Sequence, residues 1–105
     1  MVKVKVFWTK FAFNSLKEIH KYYKENVSKT IADNIRDNIL TSTSQLELLP
    51  KSGTIEELLG ELKEDFRFII RGNYKVVYKI KDKKIFITDV FDTRQNPMKL
   101  KTRNV

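Results

Sequence analysis

The sequence predicts a two-layer α+β domain in which a helical hairpin packs on one face of a mainly antiparallel sheet, in the order β-α-α-β-β-β. Two patterns support this fold class. Apolar residues recur at helical spacing between residues 10 and 46, and residues 65–97 read as three short strands joined by tight turns. The 105 residues form one domain, 1–105, with a tail from about residue 98 to residue 105 that can be disordered.

The composition restricts the compartment and the partners. The chain has no cysteine and one histidine, which argues against disulfides and a zinc site; the cytoplasm is the expected location, and no metal or cofactor is expected. No apolar run approaches the roughly 20 residues of a membrane span, and residues 1–7 alternate charge with valine and do not form the apolar region of a signal peptide, so no membrane partner is expected. The net charge of +8 favours nucleic acid or an acidic protein, although a lysine-rich solvated surface is the alternative.

The first half reads as one strand and two helices. A strand is expected over residues 2–8 because valine alternates with lysine at 2–6, and Thr9 is a suitable N-cap for a helix that ends near Asn26. Ser28 can cap a second helix, which Pro50 must terminate, and the run of serine and threonine at 41–44 is expected to fray or bend that helix. Residues 55–62 are expected as a short helical turn or an ordered loop.

The register of the next hairpin follows from the charge pattern. A two-residue turn at Gly72 and Asn73 would mix arginines into an apolar face, which is costly if that face is buried. A three-residue turn, residues 72–74, instead pairs Arg71 with Lys75 and Arg67 with Lys79, and it is therefore the predicted register. In this register one face is open and cationic, and the inner face carries the apolar residues Phe66, Phe68, Ile70, Val76, Tyr78 and Ile80.

The last hairpin is expected to turn at residues 82 and 83. It directs Ile85, Ile87 and Phe91 inward, and the same alternation directs Asp89 inward. A buried carboxylate needs a partner. Asp89 is therefore expected to lie at the rim, to find a hydrogen-bond donor, or to mark a bulge.

The ordered set of motifs resembles the RelE/ParE family of bacterial type II toxins, which includes toxins of plasmid-stabilising addiction modules. The residues that carry the resemblance span nearly the whole chain: Val6-Phe7-Trp8-Thr9, residues 16–23 in the first helix, Leu49-Pro50-Lys51-Ser52-Gly53, residues 68–78, and residues 90–97 ending in Arg94-Gln95-Asn96-Pro97. The resemblance implies two helices on one face of an antiparallel sheet whose other face is open.

The family divides by cellular target. RelE-like members resemble ribosome-dependent mRNA endonucleases, and their basic catalytic positions match Arg67, Arg71, Lys75 and Arg94 here. However, Leu100 stands where that pattern expects a tyrosine, and Ile69 stands where it expects a lysine. ParE-like members lack this catalytic set and are associated with inhibition of DNA gyrase, so the resemblance favours the ParE-like side and leaves enzymatic activity open.

Three hypotheses therefore remain. The chain is a ParE-like toxin acting on gyrase, a RelE-like ribonuclease acting on mRNA at the ribosome, or a basic binding module without toxicity. Both toxin hypotheses imply a cognate acidic antitoxin. The residues predicted to bind the target or the antitoxin are the cations Arg67, Arg71, Lys75, Lys79 and Arg94. His20, next to the apolar stripe of the first helix, is expected at the surface or in an interface.

Overall fold

The computed structural model describes residues 3–103, so the predicted start of the first strand at residue 2 lies outside it. The elements follow in the order β1 (Lys5–Trp8), α1 (Lys10–Asn26), α2 (Lys29–Gln45), β2 (Thr54–Ile55), a 3-10 helix (Glu57–Leu62), β3 (Asp65–Arg71), β4 (Tyr74–Lys81), β5 (Lys84–Asp92) and α3 (Met98–Arg103). None of the helices in this part of the chain has the length and apolar character that crossing a membrane requires.

The helical hairpin forms as the sequence predicts. The Thr9 side chain accepts a hydrogen bond from the Ala12 amide, and the Ser28 side chain accepts one from the Ile31 amide, so both N-caps are confirmed. Of the fraying or bending expected at residues 41–44, the fraying does not occur. The hydroxyls of Ser42, Thr43 and Ser44 donate to carbonyls three residues earlier, and the helix continues to Gln45.

The five strands form one mixed sheet in the order β1-β5-β4-β3-β2. Only the β1 and β5 pair is parallel; the other neighbours are antiparallel. The helices cover one face, where Ala12, Leu16 and Ile39 pack against a row of sheet residues that includes Val76 and Ile87. The predicted α+β architecture is confirmed.

The predicted register of the β3–β4 hairpin is wrong. The turn has two residues, Gly72 and Asn73, and Arg71 pairs with Tyr74 while Arg67 pairs with Tyr78. Gly72 adopts the expected positive φ of 58°, which suits a residue without a side chain. Arg67 and Arg71 therefore lie on the helix-covered face, and Lys75 and Lys79 lie on the opposite face, so the four cations do not share one surface.

The opposite face, called here the second face, is not open along its whole length. A second apolar cluster forms there, in which Leu59 of the 3-10 helix and Leu100 of α3 pack on the sheet residues Phe66, Val77 and Phe91. Only one face of the sheet was expected to be buried. This expectation is wrong, because the second core also buries apolar residues of β3. We call this region the covered half. The uncovered half lies towards β1 and consists of Lys5, Phe7, Lys81, Lys84 and Phe86.

A bulge in β5 explains the position of Asp89. The register shifts between Val77 and Tyr78 of β4, which face Asp89 and Ile87, and this shift leaves Thr88 as the extra residue. Ile85 and Ile87 point towards the helices as predicted, whereas Phe91 and Asp89 point into the second core.

The buried Asp89 finds its donor in the C-terminal segment. Arg103 donates to both carboxylate oxygens, at 2.8 and 3.0 Å, and also to the Ser15 hydroxyl at 3.1 Å. Residues 98–103 form a helix instead of the disordered tail, since Leu100 is buried and Arg103 is bound in this way; residues 104 and 105 lie outside the described part.

Candidate functional site

Arg67 lies against the loop that follows α2. Its guanidinium donates to the carbonyl oxygen of Gly53 at 3.1 Å and to a carboxylate oxygen of Asp65 at 2.9 Å. The Tyr78 hydroxyl completes this arrangement by donating to the Pro50 carbonyl at 2.8 Å and accepting from the Gly53 amide at 3.0 Å. These bonds satisfy Arg67 within the protein and explain how an arginine is tolerated on the helix-covered face.

The same loop explains the glycine in its motif. A β-carbon at Gly53 would lie 2.5 Å from the Tyr78 hydroxyl oxygen and 2.8 Å from the Phe68 carbonyl oxygen. Any other residue would therefore push the loop off the sheet. The segment from Leu49 to Gly53 is a structural feature of this fold.

Lys75 and Lys79 also have partners inside the protein. The Lys75 ammonium lies 2.7 Å from a carboxylate oxygen of Glu56, and the side chains are only 17% and 3% exposed. It also lies 4.2 Å from the centre of the Phe68 ring. Lys79 lies 3.4 Å from Glu64, in a more exposed pair. Lys75 thus neutralises a buried carboxylate of the covered half.

Arg94 meets two tyrosines at the end of the sheet where β5 finishes. Its guanidinium donates to both Asp92 oxygens at 2.9 Å and to the Tyr23 hydroxyl at 3.4 Å, and Tyr74 donates to Tyr23 at 3.2 Å. We call Tyr23, Tyr74, Asp92 and Arg94 the tyrosine end. The Arg94 side chain is 55% exposed, so a partner can reach it.

The charges of the tyrosine end are set by these contacts. Hydrogen bonds from Tyr74 and Arg94 lower the pKa of Tyr23, whereas burial and the bond to Tyr23 raise the pKa of Tyr74. Arg94 lowers the pKa of Asp92, and the same ion pair raises the pKa of Arg94. Because Tyr23 accepts two hydrogen bonds, its own hydroxyl proton is free to be donated to a bound group.

Two grooves flank the tyrosine pair. One has a volume of about 120 Å³ and is lined by Arg71, Gly72, Asn73 and Asn38. The other has a volume of about 410 Å³ and is lined by Ile19, Tyr22, Val27, Asp92 and Arg94. Arg71 donates to the carbonyl of Ile70 at 2.7 Å, and among residues 3–103 it forms no ion pair. Of the five predicted cations, the structure thus brings Arg71 and Arg94 to the same end of the molecule.

Neither of the two positions that separate the target classes is exposed. Leu100, where a tyrosine was expected for the endonuclease pattern, is fully buried in the second core, and Ile69 packs against the first core. Arg67 and Lys75 lie on opposite faces of the sheet. The tyrosine end offers cations and hydroxyl donors that suit recognition of a carboxylate or phosphate.

His20 joins the two helices. Its Nε2 lies 2.7 Å from an Asp33 oxygen, and Lys29 lies 2.8 Å from the other. The bonds from His20 and Lys29 lower the pKa of Asp33 to about 2. Within residues 3–103, no group of three or more histidine and acidic side chains could hold a metal ion.

Comparison with known proteins identifies the family. The family described as ParE toxin of type II toxin-antitoxin system, parDE, matches residues 6–97. The chain belongs to the ParE toxin family. A solved structure described as the chromosomal ParDE TA system from P. aeruginosa has the same fold, with a TM-score of 0.71 and 19% sequence identity over 86% of this chain and 96% of that one. The comparison with curated proteins gave no match.

Several features of this ParE family member were missed from the sequence. Tyr74 is buried in the first core and Tyr23 packs against it, and nothing in the spacing of these residues predicts their mutual hydrogen bond. Glu56 could not be distinguished from the neighbouring Glu57, although the former is buried and the latter is exposed. The inward position of Asp89 was the one available signal for a buried ion pair.

Proposed function

We propose that this chain is a ParE-like toxin that arrests bacterial growth by inhibiting DNA gyrase and that a cognate acidic antitoxin neutralises it in the cytoplasm. The family match over residues 6–97 is the observation that carries the proposal. The net charge of +8 supports an acidic partner, since opposite charge speeds association.

The placement of the cations favours binding over RNA cleavage. An endonuclease needs several cations around one phosphate together with a proton donor and acceptor. Here Lys75 neutralises Glu56, Arg67 holds the loop at Gly53, and Leu100 is buried. The mRNA endonuclease hypothesis therefore has weaker support than inhibition through protein contacts.

We propose the tyrosine end as the part of the surface that contacts the target or the antitoxin. Arg71 and Arg94 line its two grooves, and the Tyr23 hydroxyl lies between them. These groups would bind carboxylates of an acidic segment, and the apolar wall of Ile19 and Val27 would bind its apolar side chains.

The test is induced expression of the toxin alone, with gyrase supercoiling measured on purified proteins. Growth should stop, supercoiling should fall, and a DNA-damage response should follow while mRNA stays intact on primer extension. Codon-positioned mRNA cuts would replace the gyrase hypothesis with the ribonuclease. Normal growth with folded toxin would contradict both and leave a basic binding module.

Charge-matched variants test the proposed surface. Arg94→Gln and Arg71→Gln should weaken toxicity or antitoxin affinity while melting temperatures stay nearly unchanged. Lys21→Gln, on the exposed side of α1, removes the same charge and should change neither property. Equal effects of all three variants would mean that net charge, and not the tyrosine end, governs binding.

A further inference from the structure

The uncovered half of the second face presents two stacked aromatic rings. Phe7 of β1 and Phe86 of β5 lie directly opposite each other, with ring centres 5.6 Å apart and an angle of 22° between the ring planes. Phe7 lies in a strand within the region that matches the family, and it is 41% exposed. The sheet therefore carries a stacked aromatic pair in which Phe7 is exposed and Phe86 is half-buried.

A row of lysines runs beside these rings. Lys84 of β5 lies opposite Lys5 on one side and Lys81 on the other, and all three are exposed. Neighbouring strands are about 4.8 Å apart, so the row extends over roughly 10 Å. Like charges opposite each other are mildly destabilising, which makes this row unfavourable for folding alone.

The nearby carboxylates do not neutralise the row. Glu64 lies 3.4 Å from Lys79 and 3.7 Å from Lys81. Asp82 lines the adjoining groove, which has a volume of about 420 Å³ and includes Lys79, Lys81, Lys84 and Phe86. The surface remains positively charged and combines cations with the exposed Phe7 ring and the half-buried Phe86 ring.

We propose that this surface binds single-stranded nucleic acid, with bases stacked on Phe7 and Phe86 and phosphates along Lys5, Lys84 and Lys81. Every base has a flat face, so such stacking is tolerant of sequence, and the cations follow the backbone. An acidic peptide would use the lysines equally well, but only its aromatic side chains could stack on these rings, whereas every nucleotide carries a base. The combination of the lysine row with the exposed Phe7 ring and the half-buried Phe86 ring therefore favours nucleic acid.

The hydroxyls beside the rings are already occupied. Thr9 donates to the Ile87 carbonyl at 2.8 Å and accepts from the Ala12 amide, and Thr88 donates to the Val77 carbonyl at 3.4 Å. Both hydroxyl protons are used within the protein, and base stacking and phosphate contacts are common to both polymers, so DNA and RNA should bind alike. This binding is separate from the tyrosine end and does not depend on gyrase inhibition.

Fluorescence anisotropy with labelled oligothymidylate and oligouridylate, over a range of salt concentrations, tests the proposal on the purified toxin. Three phosphate contacts give a slope of log affinity against log salt of about −2, and Lys81→Gln with Lys84→Gln should reduce its magnitude by about 1.4. Phe7→Leu should weaken binding roughly 5- to 150-fold with the slope unchanged, and Phe7→Tyr should retain it.

Two controls separate this surface from general attraction to a basic protein. Lys21→Gln with Lys24→Gln removes the same charge from the exposed side of α1 and should leave affinity within about twofold, since long-range attraction is screened. Asp82→Asn should tighten binding; its backbone φ of 53° is one that asparagine tolerates.

Equal losses from the two lysine pairs would overturn the proposal. So would full affinity in Phe7→Leu, or displacement of the oligonucleotide by polyglutamate at equal charge concentration, which would indicate a surface for acidic peptide. Affinities that agree between the deoxy and ribo oligonucleotides and fall with Phe7→Leu would support it. Thermal melting of each variant shows whether it is folded, and the lysine variants test the surface if Phe7→Leu is not.

Discussion

The covered and uncovered halves of the second face carry the same residue types in opposite roles. In the covered half, Lys75 is held between Glu56 and the Phe68 ring and is shielded from solvent. In the uncovered half, Lys84 lies beside Phe86 and is exposed. A lysine that alternates with apolar residues in a strand is therefore a core component in one place and available for binding in another. The difference is whether another segment of the chain covers it.

The largest expected effect that tests this comparison is in the covered half. Lys75→Met leaves Glu56 buried without its cation and should cost about 3 kcal/mol of unfolding free energy. The measurement is the urea midpoint of the purified toxin. Adding Glu56→Gln should recover most of the loss, because no unpaired charge is then buried. A loss below about 0.5 kcal/mol would mean that water reaches Glu56 easily.

The next effect concerns the closure of the covered half by α3. Arg103→Met removes the guanidinium from Asp89 and should cost about 2 kcal/mol, less than for Lys75 because Asp89 keeps a further interaction in the structure. Hydrogen exchange of the backbone amides in residues 98–103 should become faster as the free energy of unfolding falls. Arg103→Lys, which keeps the charge, serves as the control. Unchanged exchange in Arg103→Met would show that Leu100 alone holds the helix in place.

The smallest effect is expected in the uncovered half. Lys84→Gln relieves repulsion from Lys5 and Lys81 and should stabilise the fold slightly, by about 0.2–1 kcal/mol. The register predicted from the sequence would have caused such a repulsion between Arg71 and Lys75. In the structure these two side chains lie on opposite faces of the sheet. Thermal melting of Lys84→Gln at low and at high salt measures the gain in stability, which salt should reduce. A destabilised Lys84→Gln variant would mean that this lysine also holds the fold.

The parts of the fold that depend on local chemistry were predictable. Thr9 and Ser28 cap their helices through atoms three residues away, and the turn at Asp82 and Lys83 follows from a short break between apolar runs. The family resemblance and the order of elements came from the same local signals. The fold class was thus predicted before any long-range contact was known.

The register and the site were not predictable because they depend on distant segments. The two-residue turn at Gly72 and Asn73 was rejected because it places arginines on the buried face of the hairpin. That placement is costly only if the arginines have no hydrogen-bond partner and if the other face is not buried as well. Arg67 has its partner in the Gly53 loop, and Phe66 has a second core under Leu59 and Leu100. The tyrosine end likewise joins α1 to the end of β5, which no spacing rule connects.

The parallel pairing of β1 with β5 has a consequence for how the protein is made. The bond from Thr9 to the Ile87 carbonyl joins residues 78 positions apart, and within residues 3–103 β5 is the only strand that pairs with β1. On a ribosome, where synthesis runs from the N-terminus, β1 must wait unpaired until β5 has emerged. Such a closing step requires a long loop to be fixed and is expected to be slow. The sheet is therefore complete only after β5 has been synthesised, and a partner that needs the finished sheet cannot bind before then.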